Sequence, residues 1–239
     1  MALLICSATA QELAQLAPDR LPENIIEMQP MQLELAHGGA IFIATGVGPV
    51  NASLSIGLCL GLTHASTGSK IAIDGIIYAG LAGAFDLNLT PLCSIWRVSR
   101  EIWPEYGLND GNSVTARAFK HPLWQRDGQE DIYDSIELAD YAAMPRYCRP
   151  KSEWPACASL TVAGVSASFA RRNALWDAWH VELENMEGFA AAYAAARAEI
   201  PLLEIRVVSN KVGPRGRGEK DFEGALAEMK KILPGLGLL

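Results

Sequence analysis

The sequence is poor in the patterns that hold metals, disulfides, nucleic acids or membranes. Its five cysteines, Cys6, Cys59, Cys93, Cys148 and Cys157, are odd in number and form no CxxC, so neither a disulfide framework nor a zinc site is expected. Most of them read as small core residues. The four histidines, His37, His64, His121 and His180, are scattered without an HExxH, and no metal is expected from them. Basic residues number 20 against 27 acidic ones, a net charge of −7. With no basic stripe to release counterions from a phosphate backbone, nucleic acid is not an expected partner. No apolar stretch approaches the roughly 20 residues of a membrane span. The apolar Ala2–Ala8 stretch has no basic residues before it and is too short for a signal peptide, so the expected location is the cytoplasm. Internal repeats and low-complexity tracts are also missing.

What is present is a chain of 239 residues, half of them hydrophobic, enough for a substantial core and expected to form one domain over 1–239. Short apolar runs alternate with helical patterns, which predicts an α/β fold. Strands are predicted at 3–6, 41–44, 73–78, 93–98, 160–165 and 202–208. Helices are predicted around 11–16, 49–62, 170–179 and 189–197. Phe222, Leu226, Met229 and Leu233 recur at helical spacing and predict a C-terminal amphipathic helix. The stretch from Ser99 to Trp154 lacks a steady period and is expected to be mainly loop, with the look of a specificity-bearing surface.

The segment from Val181 to Asn210, VELENMEGFAAAYAAARAEIPLLEIRVVSN, carries the most chemistry. Phe189 to Arg197 is alanine-rich and helix-favouring, and Pro201 ends the helix. Glu187 opens this helix, where the exposed N–H groups and the macrodipole favour an anion. Asn210 falls just past the predicted strand, where open α/β sheets bind ligands. A purely structural reading also fits: Asn185 caps the helix and Glu187 complements its dipole.

Three other patterns bear on function. Gly46-Val47-Gly48-Pro49-Val50-Asn51 partly matches a dinucleotide fingerprint, but asparagine stands where the third glycine belongs and this is not the first strand-helix turn. A glycine turn with N–H groups suited to an anion, a ribose or a water survives that comparison. Gly164-Val165-Ser166-Ala167-Ser168 lacks the last glycine of a nucleophile elbow, while Phe169 beyond it is an aromatic able to stack on a flat ligand or to join the core. Thr9 and Glu12 form a capping box, and sequence alone does not separate that cap from a catalytic base.

Taken together, Ser7 to Glu12, TGVGPVNAS from Thr45, GLAGAF from Gly80, GVSASF from Gly164, and ENMEGFAAAY followed by IRVVSN resemble the nucleoside phosphorylase and nucleosidase superfamily. Asn210, the tail NKVGPRGRG and the segment EIWPEYGLNDG are most similar to its futalosine hydrolase family; methylthioadenosine/adenosylhomocysteine nucleosidases are relatives. The resemblance implies a three-layer α/β/α fold with a central mixed, twisted sheet, no cofactor, and a homo-oligomer of two or more chains. It implies hydrolysis of an N-ribosidic bond, with hypoxanthine released from futalosine in menaquinone biosynthesis.

By the same resemblance each matched residue has a task. Glu12 activates the attacking water. Glu187 accepts from the ribose hydroxyls and places charge near the developing oxocarbenium ion. Met186 packs on the sugar and Phe169 on the base, and Gly46 and Gly48 allow close backbone approach. Asn210 stands where adenine-releasing nucleosidases carry an acidic aspartate. An amide has no proton to release but offers a donor, which suits the adjacent acceptors N7 and O6 of hypoxanthine. Arg215 and Arg217 are candidates for the benzoate of futalosine or plain solvated charges. The rivals are a phosphorylase, for which the segments around Glu12 and Gly46 lack arginine, an adenine-releasing nucleosidase, and a non-catalytic nucleoside binder.

Overall fold

The computed structural model describes residues 2–35, 38–64, 72–111, 114–148, 150 and 154–239. His37 and parts of the Ser99–Trp154 stretch lie outside the described residues. In chain order the elements are β1 (Ala2–Ser7), α1 (Ala10–Leu16), β2 (Met31–Leu35), β3 (Gly38–Ala44), α2 (Pro49–His64), β4 (Ile73–Ala84), β5 (Ile95–Ile102), β6 (Leu108–Asn109), β7 (Val114–Thr115), α3 (Ala116–Phe119), β8 (Ser135–Glu137), β9 (Ala156–Thr161), α4 (Phe169–Trp179), β10 (Leu183–Asn185), α5 (Gly188–Ala198), β11 (Leu202–Lys211), α6 (Phe222–Met229) and α7 (Ile232–Gly235).

Among the described residues, nine strands form one mixed sheet in the order β10-β9-β5-β11-β4-β1-β3-β2, with β8 beside β5. β4 pairs in parallel with β1 and β11, whereas β11 meets β5 antiparallel. β10 pairs with both β9 and β4, so one end of the sheet curls back on itself. Alternation along β1 sorts its residues into two layers. Leu3 and Ile5 pack with Leu13 and Leu16 of α1 and with Met229 and Ile232 of the C-terminal helices. Leu4 and Cys6 pack with Ile56 of α2 and Phe189 and Ala192 of α5. The result is the expected α/β fold with helices on both faces of a mixed sheet.

Several boundaries differ from the sequence reading for identifiable reasons. GLAGAF is not a turn after β4: residues 80–84 continue the strand, because this central strand is paired on both sides and needs small residues where site groups crowd it. Order in β9 ends at Thr161, so the predicted strand at 160–165 lies mostly past it, and the strand at 93–98 begins later and runs to Ile102. β2 and β10 were not expected from the pattern. The predicted C-terminal helix is divided into α6 and α7 at Lys230–Lys231. Asn210 lies inside β11 and not beyond it, at a register shift between Val208 and Asn210 opposite Ala82 and Gly83. Such a bulge re-aims a side chain.

Candidate active site

Glu12, Met186, Glu187 and Asn210 line one cavity of about 510 Å³ at the ends of β1, β4, β10 and β11, together with Val47, Val165, Glu184, Arg215 and Phe222. That volume suits a small-molecule ligand.

Glu12 is buried at 6% exposure in the first turn of α1. The capping box is real: the Thr9 hydroxyl accepts from Glu12 N, and Glu12 Oε2 accepts from Thr9 N at 2.9 Å and from the Thr9 hydroxyl at 2.8 Å. The other oxygen, Oε1, accepts from Leu81 N at 2.9 Å. Capping therefore fixes the carboxylate in the cavity wall, so cap and site are the same arrangement. Gly80 makes this possible, since a Cβ there would lie 3.2 Å from Glu12 Oε1 and 3.0 Å from Arg206 Nη1.

Glu187 departs from the sequence expectation in its partners. It is the residue before α5, but its side chain makes no cap bond. The N–H groups of Glu187 and Gly188 are taken by Asn185 Oδ1 at 2.9 and 2.7 Å, so the helix start is capped by Asn185. The Glu187 carboxylate instead accepts from Gly48 N at 3.0 Å and pairs with Arg206 Nη1 at 3.4 Å. Burial pushes its pKa above the usual glutamate value; Arg206 and the Gly48 N–H pull it back, and nearby Glu12 adds to the rise.

The glycine turn is likewise committed to the protein. Gly46 and Gly48 adopt φ of +83° and +93°, the left-handed region where glycine carries no steric cost. Gly46 N donates to Ala8 O at 2.9 Å, and Gly48 N holds Glu187. With both N–H groups taken, the turn does not offer them to an anion; it aims Glu187 and puts Val47 into the cavity wall.

Asn210 is 7% exposed. Its Oδ1 accepts from the Ser209 hydroxyl at 2.9 Å, and its Nδ2 donates to Lys211 O at 2.8 Å. One N–H of the amide remains for the cavity. Across the sheet Gly83 leaves room for this amide, since a Cβ there would lie 3.0 Å from Nδ2.

Phe169 is placed elsewhere. It begins α4, is 60% exposed, and is not among the residues lining the cavity; Val165, four residues earlier, is. The turn before α4 is tied down by Glu184, which accepts from Ser166 N at 3.0 Å and from its hydroxyl at 2.5 Å, and by Glu105, which accepts from Ala163 N at 3.0 Å. No described residue of the Ser99–Trp154 stretch lines this cavity; the segment touches the turn before α4 through Glu105.

The residue that sequence reasoning left without a role is Arg206. It is fully buried, donates from Nε to Glu204 at 2.8 Å and from Nη2 to Asn185 Oδ1 at 3.1 Å, and reaches Leu81 O with Nη1 at 3.3 Å. Its guanidinium also lies 5.1 Å from the centroid of the Tyr78 ring, a cation–π contact. The signal was present: two charges, Glu204 and Arg206, interrupt the otherwise apolar run from Leu202 to Val208, and a buried charge needs a partner.

Residues 157–233 match the family model described as Phosphorylase superfamily. Among solved structures, a methylthioadenosine/S-adenosylhomocysteine nucleosidase from Helicobacter pylori superposes with a TM-score of 0.72 at 12% identity, covering 99% of this chain and 97% of its own. Futalosine hydrolase of the same organism gives 0.72 at 13% identity with the same coverage. The fold is that of nucleosidases in the phosphorylase superfamily. Futalosine hydrolase of Streptomyces coelicolor is 30% identical over 238 residues, 96% of this chain and 92% of the relative, and that of Thermus thermophilus is 25% identical over 91% and 92%. This chain belongs to the futalosine hydrolase family.

Gly80→Ala tests the packing between Glu12 and Arg206. The added methyl displaces both groups by a few tenths of an ångström, and turnover is expected to fall by about tenfold or more while the thermal midpoint moves little, since misplacement costs rate before it costs fold. Wild-type turnover in this variant would show that the spacing is not critical.

Proposed function

We propose that this nucleosidase hydrolyses futalosine to hypoxanthine, as a single catalytic domain acting in menaquinone biosynthesis. The observation that carries the reading is the convergence of two buried carboxylates, Glu12 and Glu187, with the Asn210 amide around one cavity.

In this reading Glu12 orients and deprotonates the attacking water. Its two oxygens are already held by Thr9 and Leu81, so the base is pre-aimed and loses little freedom on binding. Glu187, held by Gly48 and Arg206, accepts from the ribose hydroxyls and faces the positive charge that grows on the sugar. Met186 packs on the sugar. The free N–H of Asn210 points at the purine, where it stabilises the charge accumulating on N7 and O6 of a 6-oxopurine. Phe169 keeps its proposed stacking role only if α4 shifts toward the cavity when substrate binds.

Water is favoured over phosphate by the charge of the wall. The lining carries four carboxylates, Glu12, Glu184, Glu187 and Glu223, against one guanidinium, Arg215, whereas a phosphate dianion needs converging cationic or N–H donors. Release of hypoxanthine from futalosine without phosphate, exceeding release of adenine from methylthioadenosine, is the expected result. Strict phosphate dependence would instead make the protein a phosphorylase. Glu12→Gln is expected to bind substrate but lose about 100-fold or more in kcat, the scale of general-base catalysis; wild-type kcat would reduce Glu12 to a helix cap.

Arg215 is the basic residue of the wall and is assigned to the benzoate carboxylate of futalosine, with Arg217 outside the lining. Arg215→Ala is expected to raise KM for futalosine and leave KM for inosine unchanged. Equal effects on both substrates would remove the assignment.

Because burial raises the Glu187 pKa and the ribose site needs its anion, activity grows as pH rises through that raised value. The acid limb of kcat/KM is therefore expected above the ordinary glutamate range of about 4.3, and the residual activity of Glu187→Gln is expected to lack it. A limb retained in that variant would assign it to another group.

We also assign the protein to the cytoplasm and to a homo-oligomer. The second assignment is supported by Val50, Leu54 and Leu58, an apolar stripe at helical spacing on α2 that is at least half exposed.

A further inference from the structure

The charges behind Glu187 leave a remainder that the proposed reaction does not use. Glu101 on β5 and Glu204 on β11 are both fully buried. A Cβ at Gly188 would collide with Oε1 of each, so the two carboxyl groups converge on one point at the start of α5 where only glycine fits. Glu204 Oε1 accepts from Arg206 Nε at 2.8 Å, but Glu204 Oε2 is buried without a hydrogen-bond partner among the described residues. Glu101 accepts from Asn185 Nδ2 at 2.6 Å and from the Thr161 hydroxyl at 2.8 Å. Asn185 then accepts, through Oδ1, from Arg206 and from the N–H groups of Glu187 and Gly188.

The titratable groups facing this cluster are Cys157 from β9, Tyr78 from β4, Glu204 and Arg206 from β11, and Glu187 from the entry to α5. If Glu101, Glu204 and Glu187 were all ionised, three carboxylates would face a single guanidinium, two of them fully buried. Two carboxylates converging on one dry point do not both ionise. Burial first, and then Glu204, push the Glu101 carboxyl well above the usual carboxylate range.

We propose that Glu101 is a positioning residue that holds a proton and donates it toward Glu204, so that ionised Glu204 balances Arg206 and Glu187 is left as the anion of the ribose site. The proposal rests on the reading of Glu187 given above. The pair works through two intermediaries. Glu101 fixes the Asn185 amide, whose oxygen orders the backbone that carries Glu187. Glu204 holds the Arg206 side chain, whose Nη1 reaches Glu187 and the carbonyl of Leu81. A neutral Glu101 also keeps Arg206 from being drawn away from Glu187 toward a second deep anion.

Infrared difference spectroscopy in heavy water at neutral pH reads the proton directly. A carboxylic C=O stretch is expected in the wild type and absent from E101Q; its absence from the wild type would overturn the proposal. The kinetic arm compares E101A with E101Q. Loss of the side chain is expected to lower kcat about tenfold to 100-fold with a smaller change in KM, as for a misplaced catalytic group. The amide of E101Q is uncharged like the protonated carboxyl: its oxygen accepts from Asn185 Nδ2 and its NH2 takes the Thr161 side, where that hydroxyl turns to Asn185 Oδ1, so this variant is expected to recover kcat to within about threefold of wild type. Equal impairment of the two variants, or wild-type kcat in E101A, would refute the positioning role. If E101A does not fold, the infrared comparison decides. Should the wild type release no base from any nucleoside, the proposed hydrolysis fails, while the carboxylic band, read without substrate, still tests the pair.

Discussion

The guanidinium of Arg206 is the interaction on which the site depends. Removing such a charge from water costs several kcal/mol even after relaxation, and here burial is complete. Burial alone works against its charge, but Glu204, then Glu187, outweigh it and hold the group firmly protonated. The same side chain touches the peptide of Leu81, whose N–H holds Glu12. One buried cation thus links the carboxylate proposed for the water to the carboxylate proposed for the ribose. Its place in β11, the strand paired with β4 along its length, makes the sheet itself the frame that sets their spacing.

A second constraint is that the site's side chains serve the fold at the same time. Glu12 closes a capping box, worth about 1 kcal/mol in typical hosts. Asn185 caps α5 and receives Arg206. Gly48 relieves a left-handed turn and holds Glu187. Each such double use removes freedom from a group proposed to act on substrate, which is what preorganisation requires. It also explains why a structural and a chemical reading of the same residue were equally good from sequence: they describe one geometry.

Much of the fold was legible because the continuous apolar runs of β1 and β3 and the alanine-rich run of α5 are strong local signals. The strands that escaped were those whose existence depends on partners. β10 is three residues long and is held between β9 and β4, a closure no local pattern encodes. The continuation of β4 through Gly80 and Gly83 was hidden because those glycines read as a turn, whereas they are absent side chains that admit Glu12, Arg206 and Asn210. Within the site, Glu12, Met186, Glu187 and Asn210 could be named from motifs and do share a cavity. Phe169 could not be placed, because its position depends on how Glu105 and Glu184 pin the turn before it. Arg206 was visible only as a charge inside an apolar run, and its meaning came from the carboxylates of Glu204 and Glu187 that pair with it.

The bulge at Ser209 ties these strands of argument together. In regular register the residue after Val208 would pair with Gly83; instead Ser209 is inserted and Asn210 takes that place. The shift lets Ser209 orient the Asn210 amide by donating to Oδ1, which leaves the NH2 group as the end presented between Lys211 O and the cavity. An aspartate in this position would meet the Lys211 carbonyl with an oxygen, and two acceptors in contact repel unless the acid is protonated. The local backbone therefore suits an amide donor at residue 210, independently of the substrate. That gives the proposed preference for a leaving base with acceptors at N7 and O6 a structural root in the strand and not only in the ligand.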